Sequence, residues 1–219
     1  MKDKKTIYHF IIDKSGSMMG MQHQAVAGFN TQLATLQELK QTFPDQEFKV
    51  SLTYFNEEVR NLITNGNVEQ LFPMSPTTFH PNGSTALLDA IGKSIYQIKS
   101  DFGPAIDNNE ATVVMVIITD GEENASRFYT YHEIARMIKE LDATEKWTFS
   151  FLGADLDAVH TSQMLNIRRE NVMSFSKTDY SGMMEDVSQS IRCYAESKAE
   201  GRTKKNIFDI FDKKDRRKS

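Results

Sequence analysis

Residues Ile7-Tyr8-His9-Phe10-Ile11-Ile12 form an unbroken apolar run that stops at Asp13 and turns at once into Lys14-Ser15-Gly16-Ser17. The run is short, rich in β-branched and aromatic residues, and closed by a Ser/Gly turn, which reads as a buried strand with His9 inside it. A second run of the same form, Val113-Val114-Met115-Val116-Ile117-Ile118, ends in Thr119-Asp120-Gly121. Continuous rather than alternating apolar runs belong to strands covered on both faces, as in a parallel sheet. Two such strands put Asp13 and Asp120 at the same edge, and loops leaving the carboxyl ends of strands are where open α/β sheets bind ligands.

The rest of the chain alternates between strand and helix patterns. Residues 21–43 carry Val26, Phe29, Leu33, Leu36 and Phe43 at helical spacing, stopped by Pro44. Phe48 to Phe55 alternates as a strand, and Val59 to Thr64 reads as an antiparallel edge strand after the Asn56-Glu57-Glu58 turn. Residues 65–84 form a long connection punctuated by Pro73, Pro76 and Pro81, and segments of this kind are commonly functional. Helices are predicted at 85–102, 130–143, 157–165 and 180–198, with further strands at Trp147–Gly153 and Asn171–Phe175. The expected fold class is α/β: a doubly wound, mostly parallel central sheet with one antiparallel edge strand and helices on both faces.

Asp13, Ser15 and Ser17 place one carboxylate and two hydroxyls on a sharp loop, an all-oxygen corner suited to a hard divalent cation. The plain alternative makes Ser17 a helix cap. In Asn82-Gly83-Ser84-Thr85, which opens a helix, Thr85 is the candidate hydroxyl ligand, although taken alone Ser84 or Thr85 reads as an N-cap. Asp120-Gly121 alone reads as a turn. Met74, Phe79 and His80 precede Thr85 and are candidates to rim the corner; an isolated loop histidine is ordinarily solvated.

Taken together, these three stretches resemble the von Willebrand factor type A family and its metal-ion-dependent adhesion site. The family pattern is D-x-S-x-S, a distant threonine in a Gly-Ser/Thr-Thr loop and a late aspartate in a T-D-G turn. Asp13, Ser15, Ser17, Thr85 and Asp120 match it in order. The resemblance spans residues 5–200, and Asp120 to Ser126 looks most like the stand-alone bacterial members. It implies a Rossmann-like domain over 1–200 with a charged tail over 201–219. It also implies Mg²⁺ (or Mn²⁺ or Ca²⁺) on those five residues, and a partner protein that supplies an Asp or Glu carboxylate to the ion. Recognition of that kind breaks no bond, so no enzyme activity is expected. In adhesion members the last helix slides when the site fills, which raises the possibility that occupancy alters exposure of the tail here.

Two neutralising carboxylates, Asp13 and Asp120, leave a divalent ion electrophilic enough to accept one more anionic oxygen. Glu122 and Glu123 are expected to point to solvent, and Lys14 to face away from the ion. The alternative is a metal-dependent hydrolase or phosphatase of α/β fold. A phosphatase of the haloacid dehalogenase type needs a second acid where Ser15 stands. A dinucleotide site needs a Gly-rich turn that Asp13 to Met18 lacks. A serine nucleophile needs a placed base, and the five histidines (His9, His23, His80, His132, His160) have no motif spacing.

Composition sets the remaining bounds. In 219 residues, 39% apolar and 26% charged, there is room for one core and a tail. No signal-peptide pattern precedes the first strand, and no apolar stretch approaches the ~20 residues of a membrane span. Cys193 is the only cysteine, read as a small apolar residue on the last helix, so a cytoplasmic location is expected. Residues 198–219 hold nine Lys/Arg against four Asp/Glu; of the net −4, the tail carries about +5 and the remainder about −9. Within the tail lies the patch Asn206-Ile207-Phe208-Asp209-Ile210-Phe211-Asp212. It reads either as a solvated terminus or as a docking motif, for a partner or for this domain's own surface. An acidic body with no aromatic-basic groove argues against nucleic acid. The sequence leaves the oligomeric state open.

Overall fold

The computed structural model describes residues 5–120, 122–175 and 180–199. Six strands form one sheet in the order β3-β2-β1-β4-β5-β6. They are β1 (Lys5–Asp13), β2 (Glu47–Phe55), β3 (Val59–Asn67), β4 (Ala111–Thr119), β5 (Trp147–Ala154) and β6 (Val172–Phe175). All neighbours pair in parallel except β2 and β3, which are antiparallel. The helices are α1 (Gln22–Thr42), α2 (Leu87–Asp107), α3 (Tyr131–Asp142), α4 (Asp155–Met164) and α5 (Tyr180–Ala199). The expected α/β architecture with one antiparallel edge is what the chain adopts.

β1 lies at the centre because its apolar run has partners on both sides and covers on both faces. Tyr8, Phe10 and Ile12 pack with Val26, Phe29, Leu33 and Leu36 of α1 and with Val187 and Ile191 of α5, all fully buried. Phe10 meets Phe29 edge-to-face at 5.2 Å. Ile7 and Ile11 face the other way, into a second core with Leu88, Ile91 and Ile95 of α2 and Ile134 and Ile138 of α3. Side chains alternate across a strand, so Asp13 emerges on the α2 face. Full burial of each of these aliphatic or aromatic side chains contributes roughly 1.5–3 kcal/mol.

From β1 the strand order runs one way to β2 and β3, and the other way to β4, β5 and β6. The chain therefore leaves the upper ends of β1 and β4 toward opposite faces, which opens a crevice between them. Asp13 and Asp120 flank that crevice.

Three boundaries differ from expectation. α2, expected to close at Phe102, continues to Asp107 through Pro104. Proline costs one backbone bond to the preceding turn, and buried Ile106 holds the extra turn against the core. β3, expected to end at Thr64, reaches Asn67, its last turn bent by Asn65 at φ 55°. The 65–84 connection is correspondingly shorter and holds two 3-10 turns, Val68–Gln70 and Pro76–Thr78. Cys193 is half-buried on α5. Among the described residues no helix is long and apolar enough to cross a membrane. The 201–219 tail lies outside the described residues.

Candidate metal centre

Three loops meet at the crevice, and each pair of them is joined by hydrogen bonds. Between the first and second, the Gly16 amide donates to the Gly83 carbonyl (3.0 Å) and the Asn82 amide to the Lys14 carbonyl (2.9 Å). Between the second and third, the amides of Asn124 and Ala125 both donate to the Thr85 carbonyl (3.0 Å each). The Thr85 amide returns a bond to Asn124 Oδ1 at 2.8 Å. Between the first and third, Thr119 Oγ1 donates to Asp13 Oδ2 at 2.6 Å. Asp13, Ser15, Ser17, Thr85 and Asp120 thus stand on loops bonded into one unit.

None of the three hydroxyl residues caps a helix. α1 starts after Met21 and α2 after Ala86, both without a side-chain cap, so Ser17, Ser84 and Thr85 are not spent as N-caps. Ser15 Oγ and Ser17 Oγ lie 3.0 Å apart, bonded to each other. Ser15 and Thr85 are buried, and Ser17 is exposed.

Asp13 has no exposed surface. It accepts from the Ser15 amide (2.7 Å), from the Ser15 hydroxyl and from Thr119, three of about four lone-pair sites on a carboxylate. Burial pushes its pKa up to about 6; the hydrogen bonds from Ser15 and Thr119 pull against that, and the Asp120 charge adds to the rise. Among the described residues no Lys or Arg is paired with it. A carboxylate in this setting has a deficit that a cation would fill, and the donors around it are hard oxygens of the type Mg²⁺ takes. The described residues contain no group of three or more His, Cys, Asp or Glu able to hold a metal, so any ion here would depend on the hydroxyls. Asp120 is half-buried, and its Oδ1 accepts from the Glu122 amide at 3.2 Å.

Several residues with large roles in this corner escaped the sequence reading. Asp89, 4% exposed, accepts from the amides of Arg127 (3.0 Å), Phe128 (2.9 Å) and Tyr129 (3.0 Å), tying the third loop to α2. Its signal was a carboxylate inside the otherwise apolar start Ala86 to Ile91. Glu123 turns inward, not to solvent as expected. It accepts from the amides of Leu88, Ala125 and Ser126 and from Ser126 Oγ. Through Leu88, and through the Asp89 amide on Ser126 Oγ (3.1 Å), the third loop caps the open amides of α2. Glu122 is exposed, as expected.

Glu57, in the β2–β3 turn, accepts from the Ser84 amide at 3.0 Å. Its carboxylate fills the space beside Gly83, whose φ of 78° and lack of a Cβ are both required there. Of the three residues expected to rim the corner, Phe79 instead sits in the core, edge-to-face with Tyr54 at 5.2 Å. His80 is exposed, and Met74 is half-buried.

No family model and no curated protein matches the chain. Solved structures do. The manganese-loaded TRAP protein of Plasmodium vivax superposes with a TM-score of 0.60 at 13% identity, over 84% of this chain and 72% of that one. A von Willebrand factor type A protein from Catenulispora acidiphila gives 0.53 at 18% identity, over 84% and 41%. Proximal thread matrix protein 1 of the mussel byssus, solved with a zinc-occupied MIDAS motif, gives 0.56 at 15% identity, over 88% and 47%. The chain spans less than half the length of the last two.

Proposed function

From the premise that this chain has the von Willebrand factor type A fold, we propose that it is a divalent-metal-dependent protein-binding domain. In this reading Asp13, Ser15, Ser17, Thr85 and Asp120 hold one Mg²⁺, and a partner's Asp or Glu carboxylate completes its shell. The observation that carries it is Asp13: a fully buried carboxylate with a raised pKa and no basic partner among the described residues, at the junction of three loops that bring hydroxyls. When bound, the ion supplies positive charge and an open position for an anionic oxygen. The chain's own residues do the rest. Thr119 and the Ser15 amide fix the Asp13 carboxylate, Asn124 fixes the Thr85 backbone, and Glu123 and Asp89 hold the third loop against α2. Manganese in one structural neighbour and zinc in another support a divalent ion at this place in the fold and leave its identity to experiment.

The hydrolase alternative has no observation in its favour. The Ser15 hydroxyl bonds the Ser17 hydroxyl and the Asp13 carboxylate, and no histidine is bonded to it among the described residues. We read the domain as non-enzymatic and cytoplasmic, acting as an adaptor. The test is paired: Mn²⁺ binding followed by electron paramagnetic resonance, and capture of partners from the source cell with Mg²⁺ or with chelator. Wild type should bind the ion and retain a Mg²⁺-dependent set of proteins, and Asp13→Ala should do neither. An identical captured set from both proteins and in both buffers would overturn the proposal.

A further inference from the structure

Beside the metal corner a groove of about 500 Å³ opens between the ends of β2 and β3 and the 74–82 segment. Its floor includes Tyr54, Met74 and Leu62; the Tyr54 hydroxyl donates to Met74 Sδ at 3.1 Å, and Leu62 is 52% exposed. Its charged groups are Lys14, Glu57, Glu58 and Arg60. Three of these are engaged: Arg60 donates twice to Glu58 (2.5 and 3.0 Å), and Glu57 holds the Ser84 amide. The Lys14 ammonium has no ion-pair or hydrogen-bond partner among the described residues. Lys14 stands between Asp13 and Ser15, so the groove starts where the metal corner ends. Lys14 lines this groove. A ligand whose carboxylate reached the metal would next meet a lone cation and then a mixed lining in which Tyr54, Leu62 and Met74 offer apolar surface between polar groups. That order calls for a peptide with alternating acidic and bulky apolar residues.

The chain itself carries such a peptide. Ile207-Phe208-Asp209-Ile210-Phe211-Asp212 has two carboxylates three residues apart among four large apolar side chains. Arg202, Lys204 and Lys205 precede it and Lys213 and Lys214 follow, opposite in sign to Glu57 and Glu58 on the receiving face. We propose that the metal corner and this groove bind segment 206–212 of a second copy of the chain. The proposal rests on the metal-dependent reading above.

Reach selects the second copy. Near the end of α5 the Ala195 carbonyl accepts from Gln46 Nε2 at 3.3 Å, at the foot of β2. The groove lies at the opposite end, at Phe55, and the nine residues of β2 span about 30 Å. Ten residues from Ala199 to Asp209 stretch to at most about 35 Å, and thirteen to Asp212 to at most about 45 Å, with the path round the surface longer than the strand. A chain would have to run taut up its own flank to fill its own corner, and a neighbouring copy has no such limit. A tail-to-groove contact is heterologous, so it extends from dimers to longer assemblies as concentration rises.

Sedimentation velocity on the full chain tests this. With Mg²⁺ the average sedimentation coefficient should rise with protein concentration. Chelator, a synthetic peptide of residues 204–214, the double variant Asp209→Asn/Asp212→Asn, and Lys14→Glu should each restore the monomer. Mixing the double variant, whose groove is intact, with Lys14→Glu, whose tail is intact, should yield a one-to-one dimer and nothing larger. A monomer at every concentration, or a mixture that gives no dimer, overturns the proposal. Mn²⁺ resonance on the same samples separates the two failures. An ion bound without association sinks only the tail contact, whereas no bound ion sinks the metal reading with it.

Discussion

Two buried aspartates sit within one corner of this molecule and are treated in opposite ways. Asp89 is surrounded by donors: three consecutive backbone amides of the third loop close on its two oxygens. Asp13 is buried more completely, yet has one amide, two hydroxyls and the repulsion of Asp120, and its pKa is pushed up to about 6. A carboxylate satisfied by amides is part of the scaffold. Under the proposed reading, Asp13, buried without a basic partner among the described residues, takes its charge from outside. Burial alone does not separate structural from binding acids, and the partner list does.

The comparison can be broken first at the ion. Asp13→Ala should weaken Mn²⁺ binding by more than the ~100-fold that loss of an outer partner produces, read by resonance titration. Asp89→Ala should leave three amides unpaired and destabilise the fold by about 3 kcal/mol in urea unfolding. If instead Asp89→Ala unfolds no earlier while Asp13→Ala does, the two roles are exchanged.

Proton linkage sharpens the contrast. Below about pH 3, Asp13 is protonated in folded and unfolded chains alike. As pH rises to about 6 the unfolded chain releases the proton and the folded chain keeps it, so the metal-free fold loses stability through that window and no more above it. Asp13→Asn should lack this loss in pH-dependent melting. Mn²⁺ affinity should run the other way, falling about tenfold per unit below pH 6, because the ion must displace the proton.

Two smaller effects complete the series. Thr85→Val should cost the ion about tenfold in affinity, with thermal stability held, if its hydroxyl is a ligand. Gly83→Ala drives a Cβ to 1.8 Å from Glu57 Oε2 at a φ of 78° and should cost about 1–2 kcal/mol in the same unfolding assay.

The central strands were legible because burial on both faces writes itself as an unbroken apolar run, and β1 and β4 follow theirs closely. The loops after them were legible because each begins where the run stops. Residues that act across the fold left little trace. Glu123 read as half of a solvated pair because its amide partner Leu88 is 35 residues away, and no local pattern encodes that pairing. Glu57 read as a turn residue for the same reason, its partner lying at Ser84. The extra turn of α2 was missed because Pro104 ordinarily signals a stop, and only the packing of Ile106 overrides it.

The cap of α2 is supplied from Glu123 and Ser126, downstream of an entire strand. During synthesis that helix therefore emerges with bare leading amides and receives its cover only from residues 35 and 37 positions further along the chain. On the proposed reading the metal corner should be among the last parts to mature, and a truncated nascent chain ending before Glu123 should be a poor ligand for ions even where all five oxygen-bearing residues have already been made.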